Sequence, residues 1–193
     1  MSPIIPGLGP AQDAPVWRNE PLRWRRSDGE LALTAEPGSD FWRHTHFEFV
    51  RDSGHFLATR IEGEYVVGVE LEADLRCPRD CAGVMVRMDS ARWMTCGLEV
   101  LEAGRRAVVS VVTHAVSDYC ISPLTGPVRR LMLRLTRRGD SLTVDYAVDG
   151  GPWNLHRLAY LPPFLPTEVG PMAISPDGRG FDVVFRGWNA LPI

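Results

Sequence analysis

Hydrophobic and polar residues alternate along much of this chain with a period of two. In YVVGVELEADL, Tyr65, Val67, Val69, Leu71, Ala73 and Leu75 fall on one face, and Glu70, Glu72 and Asp74 on the other, as successive strand residues do. LMLRLTRRGDSLTVDYAVDGG reads as a hairpin that sets Leu131, Leu133 and Leu135 against Leu142, Val144, Tyr146 and Val148 across an Arg-Gly-Asp turn. Turn signals such as SDGE, EPGSD, RDSGH, IEGE and SPDGRG separate such runs, and no segment holds a 3.6-residue apolar stripe for three turns. About a dozen short strands of this kind predict an all-β domain, either a two-sheet sandwich or a closed barrel. No fixed-period repeat interrupts the pattern. Residues 1–15, with four prolines and two glycines, read as a flexible lead-in, and residues 16–193 as one domain. The proline-rich LPPFLP at 161–166 reads as a loop rather than a linker, since strands follow it.

Composition narrows the function classes more than it selects one. Hydrophobic residues make up 45% and charged residues 23%, as in ordinary globular chains, and the net charge of -3 offers no electrostatic basis for binding nucleic acid or an anionic membrane. Lysine is absent, which suits a GC-rich, bacterial genome. The first residues carry neither a basic n-region nor an apolar run of signal-peptide length, and no window reaches the length of a membrane span, so a cytoplasmic setting is expected. Of the four cysteines, Cys77 and Cys81 are the closest pair, in CPRDC. With no second pair to complete a zinc site, all four are expected to be reduced and structural.

Two stretches carry candidate chemistry. In DFWRHTHFEF, His44, His46 and Glu48 alternate, so a strand there would aim two imidazoles and a carboxylate from one face. A metal site also needs a fourth position and oriented supporting partners. The adopted expectation is therefore the polar face of a strand, with no metal and no cofactor. In AGVMVRMDSARWMTCGLEV, two strands joined at Asp89–Arg92 would turn Val84, Val86, Met88, Met94, Cys96, Leu98 and Val100 to the core. Arg87, Trp93, Thr95, Gly97 and Glu99 would then share the other face. An indole packs on the apolar side of a pyranose, and charged groups bond its hydroxyls. HAVSDY adds His114, Asp118 and Tyr119 near the rim, and Trp153, Asn154 and His156 are further polar-aromatic residues without a fixed place. A cross-strand Arg87–Glu99 ion pair is the plain structural alternative.

VWRNEP, DFWRHTHFEFVRDSGHFL, AGVMVRMDSARWMTCGLEV, VVTHAVSDY, RLTRRGDSLTVDYAVDGGPW and SPDGRGFDVVF occur in an order that resembles the regulation-of-enolase-1-like family, also called domain of unknown function 1349. The resemblance covers nearly the whole chain after Val16. It implies a concanavalin A-like jelly-roll sandwich of two curved antiparallel sheets, whose concave face binds carbohydrate in many relatives. It implies no catalytic set, and Glu48 stands where the family commonly has a small residue.

The leading expectation is a protein that binds a sugar or small polar metabolite through Arg87, Trp93, Glu99, Asp118 and Tyr119. An enzyme acting on such a compound is the alternative, with Glu99, His114 and Asp118 as candidate catalytic residues. Glycoside hydrolysis would pair Glu99 with Asp118 or Asp89, whereas an isomerase or lyase would use Glu99 with His114. A regulatory protein-interaction domain, suggested by the family's name, is the third. Oligomeric state is left open.

Overall fold

The computed structural model describes residues 14–163 and 165–193; most of the expected lead-in lies outside the described residues. One seven-stranded sheet runs, from edge to edge, β1 (Val16–Arg18), β6 (His55–Ile61), β15 (Thr167–Ile174), β8 (Cys81–Arg87), β9 (Arg92–Val100), β10 (Arg106–His114) and β11 (Val116–Pro123). The second runs β14 (Asn154–Tyr160), β13 (Ser141–Val148), β12 (Leu131–Arg138), β7 (Tyr65–Ala73), β16 (Phe181–Pro192), β3 (Glu30–Ala35) and β2 (Trp24–Ser27). All pairings within both sheets are antiparallel. A short hairpin of β4 (Phe41–Arg43) and β5 (Val50–Asp52) pairs with neither sheet. The result is the two-sheet sandwich expected of a jelly roll.

Alternation explains how the sheets pack. Along β7, Tyr65, Val67, Val69 and Leu71 are buried and the residues between them are not. The 131–148 hairpin pairs Leu131 with Val148, Leu133 with Tyr146 and Leu135 with Val144, the register that its apolar pattern and two-residue turn require. Val84, Val86, Met94, Cys96 and Leu98 from the first sheet meet Leu131, Leu133, Leu142, Phe181 and Phe185 from the second in one core. The 161–166 segment lies between β14 and β15.

β8 and β9 depart from simple alternation, because they are buried on both faces over nearly their whole length. The outer face of the first sheet carries a second apolar cluster that includes Met85 of β8, Trp93 of β9, Phe56 of β6, Val109 of β10 and Met172 of β15, and Phe41 of β4 joins it. Several large apolar side chains on an outer face need a cover, at about 1.5–3 kcal/mol per buried side chain. The arm formed by residues 40–54 provides it.

The tip of that arm corrects one expectation. His44, His46 and Glu48 do not alternate along a strand. Each has a left-handed backbone, with φ of 59°, 68° and 56°, and the chain turns through them. His44 N donates to Phe49 O at 2.7 Å, and His44 O accepts from Phe47 N at 3.0 Å and Glu48 N at 2.7 Å. All three side chains are exposed. Among the described residues, no group of three His, Cys, Asp or Glu side chains is arranged to hold a metal ion. Cys77, Cys81, Cys96 and Cys120 are free thiols, and no helix among the described residues is long and apolar enough to cross a membrane.

Candidate functional site

Glu99 is the unusual group on the outer face of the first sheet. It sits on β9 beside Cys81 of β8 and Ala107 of β10 and is only 7% exposed. No guanidinium reaches hydrogen-bonding distance of it among the described residues. Its partner is Tyr119 of β11, whose hydroxyl donates to Glu99 Oε1 at 2.5 Å. Burial pushes the Glu99 carboxyl up to about 7, against the pull of the Tyr119 hydrogen bond and of Arg79, and the charge of Asp40 raises it further. Burial and the neighbouring carboxylate together push the Tyr119 phenol well above its ordinary value. Near neutral pH this site therefore holds a carboxyl that both gives and takes a proton readily.

The arm places a second carboxyl nearby. Asp40, just before β4, is buried; Oδ1 accepts from Phe41 N at 2.8 Å and Oδ2 from Arg51 at 3.3 Å. Burial raises its pKa even so, with Arg51 opposing. Around these acids the arm gathers aromatic rings. Trp42 lies 6.5 Å from Tyr119, edge to face, and 5.8 Å from Phe47. Phe47 stacks on Phe49 at 5.3 Å, and the Arg51 guanidinium covers the Phe49 ring at 4.2 Å. Phe47 and Tyr119 stay open to solvent, so aromatic surface borders the Glu99–Tyr119 pair.

Polar tethers hold the arm down. Arg87 donates to both carboxylate oxygens of Asp52, at 2.6 and 2.7 Å. Arg43 donates from Nε to Ala115 O at 3.0 Å, and its backbone N–H to Ser117 Oγ at 3.0 Å.

The residues singled out from sequence divide between this site and other places. Glu99 and Tyr119 come together. Trp93 shares the outer face with Glu99, as the pairing pattern predicts, but it is not an open platform. It is 1% exposed, and Phe41 packs against it at 6.0 Å. Arg87 forms its ion pair with Asp52 rather than Glu99, and its cross-strand neighbour is Trp93. His114 and Asp118 sit at positions of β10 and β11 whose side chains leave the opposite face from Glu99 and Tyr119. His114 bonds the Tyr160 carbonyl at 3.3 Å, and Asp118 accepts from Arg157 at 2.6 Å. Neither Glu99–His114 nor Glu99–Asp118 is therefore assembled, and Asp89 is paired with Arg92. His156 lies between Ser122 and Ser110, and Trp153 lies under Arg134, both away from Glu99.

Gly97 has a different role from the one its smallness suggests. A Cβ there would lie 2.4 Å from Ala82 O and 2.8 Å from Cys81 Sγ, so the neighbouring strand, rather than a ligand, requires the glycine. Asp40 and the arm aromatics were missed, although a signal was present: Phe41, Trp42, Phe47 and Phe49 are four aromatics within nine residues.

An antiparallel two-sheet sandwich, with an arm of its own chain covering one outer face, is the class of protein these features define. Residues 17–192 match the family described as "Protein of unknown function (DUF1349)", and the chain belongs to that family. It is 34% identical over 174 residues to "Regulation of enolase protein 1" of Saccharomyces cerevisiae (strain ATCC 204508 / S288c), a match covering 90% of this chain and 87% of the relative. A crystal structure of a functionally unknown protein from Saccharomyces cerevisiae superposes with a TM-score of 0.87 at 32% identity, over 93% of this chain and 97% of that one. The GH43 protein BlXynB from Bacillus licheniformis shares the fold at a TM-score of 0.68 and 16% identity, over 90% of this chain and 36% of that one. The alginate lyase from Klebsiella pneumoniae shares it at 0.58 and 11%, over 88% and 84%.

Proposed function

We propose that this protein binds a carbohydrate or similar small polar metabolite at the Glu99–Tyr119 pair, with the arm aromatics as its platform. The observation that carries the reading is Glu99 itself, a nearly buried carboxyl with a half-exposed phenol as its hydrogen-bond partner. Burying a carboxyl without a cation is unfavourable for the fold, so such groups concentrate where a ligand or a reaction uses them. Trp42, Phe47 and Tyr119 supply aromatic surface of the kind that packs on a sugar's C–H face. The sugar-acting names of fold neighbours such as the GH43 protein and the alginate lyase lend support at the level of fold. We also infer that residues 16–193 work as one unit, since β16 near the end of the chain pairs with β3 near its start.

A second reading, acid/base catalysis on the same ligand, is favoured by the raised pKa of Asp40 beside that of Glu99. In it Asp40 takes the part that His114 or Asp118 would have played. The name of the Saccharomyces cerevisiae relative supports a third, regulation through a protein partner.

A thermal-shift screen against monosaccharides, oligosaccharides and sugar phosphates tests the binding reading. A ligand at about one hundred times its dissociation constant adds roughly 2.7 kcal/mol, which raises Tm by about 5–10 °C for a domain of this size. Glu99→Gln and Tyr119→Ala should each remove the response. A response that survives both substitutions, or none to any compound, would overturn the assignment. Turnover of a binding compound, lost in Asp40→Asn, would establish the catalytic reading.

A further inference from the structure

Three carboxyls are buried among the described residues, and two of them are well provided for. Asp80 accepts at Oδ1 from the Ser175 hydroxyl at 2.6 Å, and at Oδ2 from the backbone N–H groups of Arg76 and Cys77 at 3.1 and 2.9 Å. Asp40 accepts from the Phe41 N–H and the Arg51 guanidinium. Glu99 has the Tyr119 hydroxyl on Oε1. Among the described residues, neither a cation nor a backbone N–H bonds it, and Oε2 has no partner. A buried acceptor left in this way is costly to the fold.

The donors around it are engaged elsewhere. Arg51 is held by Asp40, Arg79 pairs with Asp177, and Trp42 Nε1 donates to Thr45 O at 2.8 Å. The site therefore offers an acceptor and ring surface. A hydroxyl calls for both a donor and an acceptor, whereas an ammonium carries three donors and no acceptor. The rings agree with a cation as well. Trp42 meets Tyr119 at 66° and Phe47 at 74°, which makes a corner rather than one flat platform, and ring faces attract positive charge. The arm already uses this chemistry once, where the Arg51 guanidinium lies 4.2 Å over Phe49 and 3.3 Å from Asp40.

We propose that the ligand is an amino sugar, whose protonated primary amine sits between the Glu99 carboxylate and the rings of Tyr119 and Trp42. The proposal rests on the binding reading above and names the class of compound bound. Three other titratable side chains besides Tyr119 bear on Glu99. Arg79 favours its ionised form and Asp40 opposes it, while burial keeps the Cys81 thiol protonated. With burial pushing Glu99 up to about 7, the empty site holds a proton on part of the molecules at neutral pH. The ammonium requires the carboxylate, so that proton passes to solvent on binding.

Isothermal titration calorimetry of the full chain at about pH 7 tests this. The probes are glucosamine, galactosamine and mannosamine, their N-acetyl derivatives and the parent hexoses. A hexosamine should bind on the order of tenfold or more tighter than its N-acetyl derivative, which keeps the ring and loses the charge. Titrations in phosphate and in HEPES should differ in heat by the release of about half a proton per ligand. Glu99→Gln should abolish both the preference and the proton release. The comparison of amine with N-acetyl derivative uses wild-type protein alone and does not depend on how the variant folds. Hexosamines that do not bind, that bind no tighter than the neutral sugars, or that bind Glu99→Gln as tightly as wild type would overturn the proposal. Neutral sugars bound without preference would leave the broader binding reading standing, whereas silence from every sugar would remove both.

Discussion

The Glu99 carboxyl should leave a pH-dependent mark on stability that Glu99→Gln erases. In the unfolded chain it titrates near its ordinary value of 4.5, and in the fold burial pushes it up to about 7. Between those values the folded protein holds a proton that the unfolded chain has released. Stability contributed by this group therefore falls as pH rises through the window from 4.5 to about 7. At 1.36 kcal/mol per pH unit, the fall amounts to about 3 kcal/mol once pH exceeds the folded value. Glutamine keeps an oxygen to accept from Tyr119 and does not titrate. The stability of the Gln variant relative to wild type should accordingly rise by about 3 kcal/mol between about pH 4.5 and pH 8, or about 6–12 °C in Tm. The assay is denaturant or thermal unfolding of both proteins across that range, with the difference taken at each pH so that all other titrating groups cancel. A difference that stays flat with pH would refute the claim that Glu99 is held protonated by burial. A difference that falls with rising pH would mean a favourable charge partner that the structure does not show.

The arm should respond to the loss of its anchors. Phe41→Ala removes a buried ring from the second apolar cluster and should destabilise the protein by about 3–5 kcal/mol; the newly exposed Trp93 should shift its fluorescence to longer wavelength. Asp52→Ala leaves the buried Arg87 guanidinium without its bidentate partner. Because Asp52 is itself partly exposed, we expect about 2–3 kcal/mol, somewhat less than for a fully buried pair, together with faster proteolysis within residues 40–54. Gly97→Ala forces a methyl against the backbone of β8 and should lower stability by about 1–3 kcal/mol in chemical denaturation, with overpacking as the cause.

Period-two patterning carried much of the fold. It placed β7, the 131–148 hairpin and the core-facing residues of β8 and β9 correctly, because alternation is a local property that each strand displays by itself. It also put Trp93 and Glu99 on the same outer face. Where it failed was in what lies on that face. Trp93 looks the same in sequence whether it meets a sugar or Phe41, and the choice was made by an arm about fifty residues earlier. The same arm supplies Asp52 to Arg87 and Asp40 to the neighbourhood of Glu99. The alternating His44, His46 and Glu48 misled for a related reason: left-handed backbone at each of them breaks the strand geometry on which the pattern depends.

By itself, then, the sequence determined the all-β class, the inward residues of β7, of the 131–148 hairpin and of β8 and β9, and the family to which the chain belongs, since all of these rest on short-range spacing and on the order of motifs. Tertiary structure alone decided that the outer face is covered, that Glu99 lies beside Tyr119 rather than His114 or Asp118, and that its carboxyl is nearly dry. Desolvation and pairing depend on which distant segments pack together, and a period of two records only that a strand has two faces.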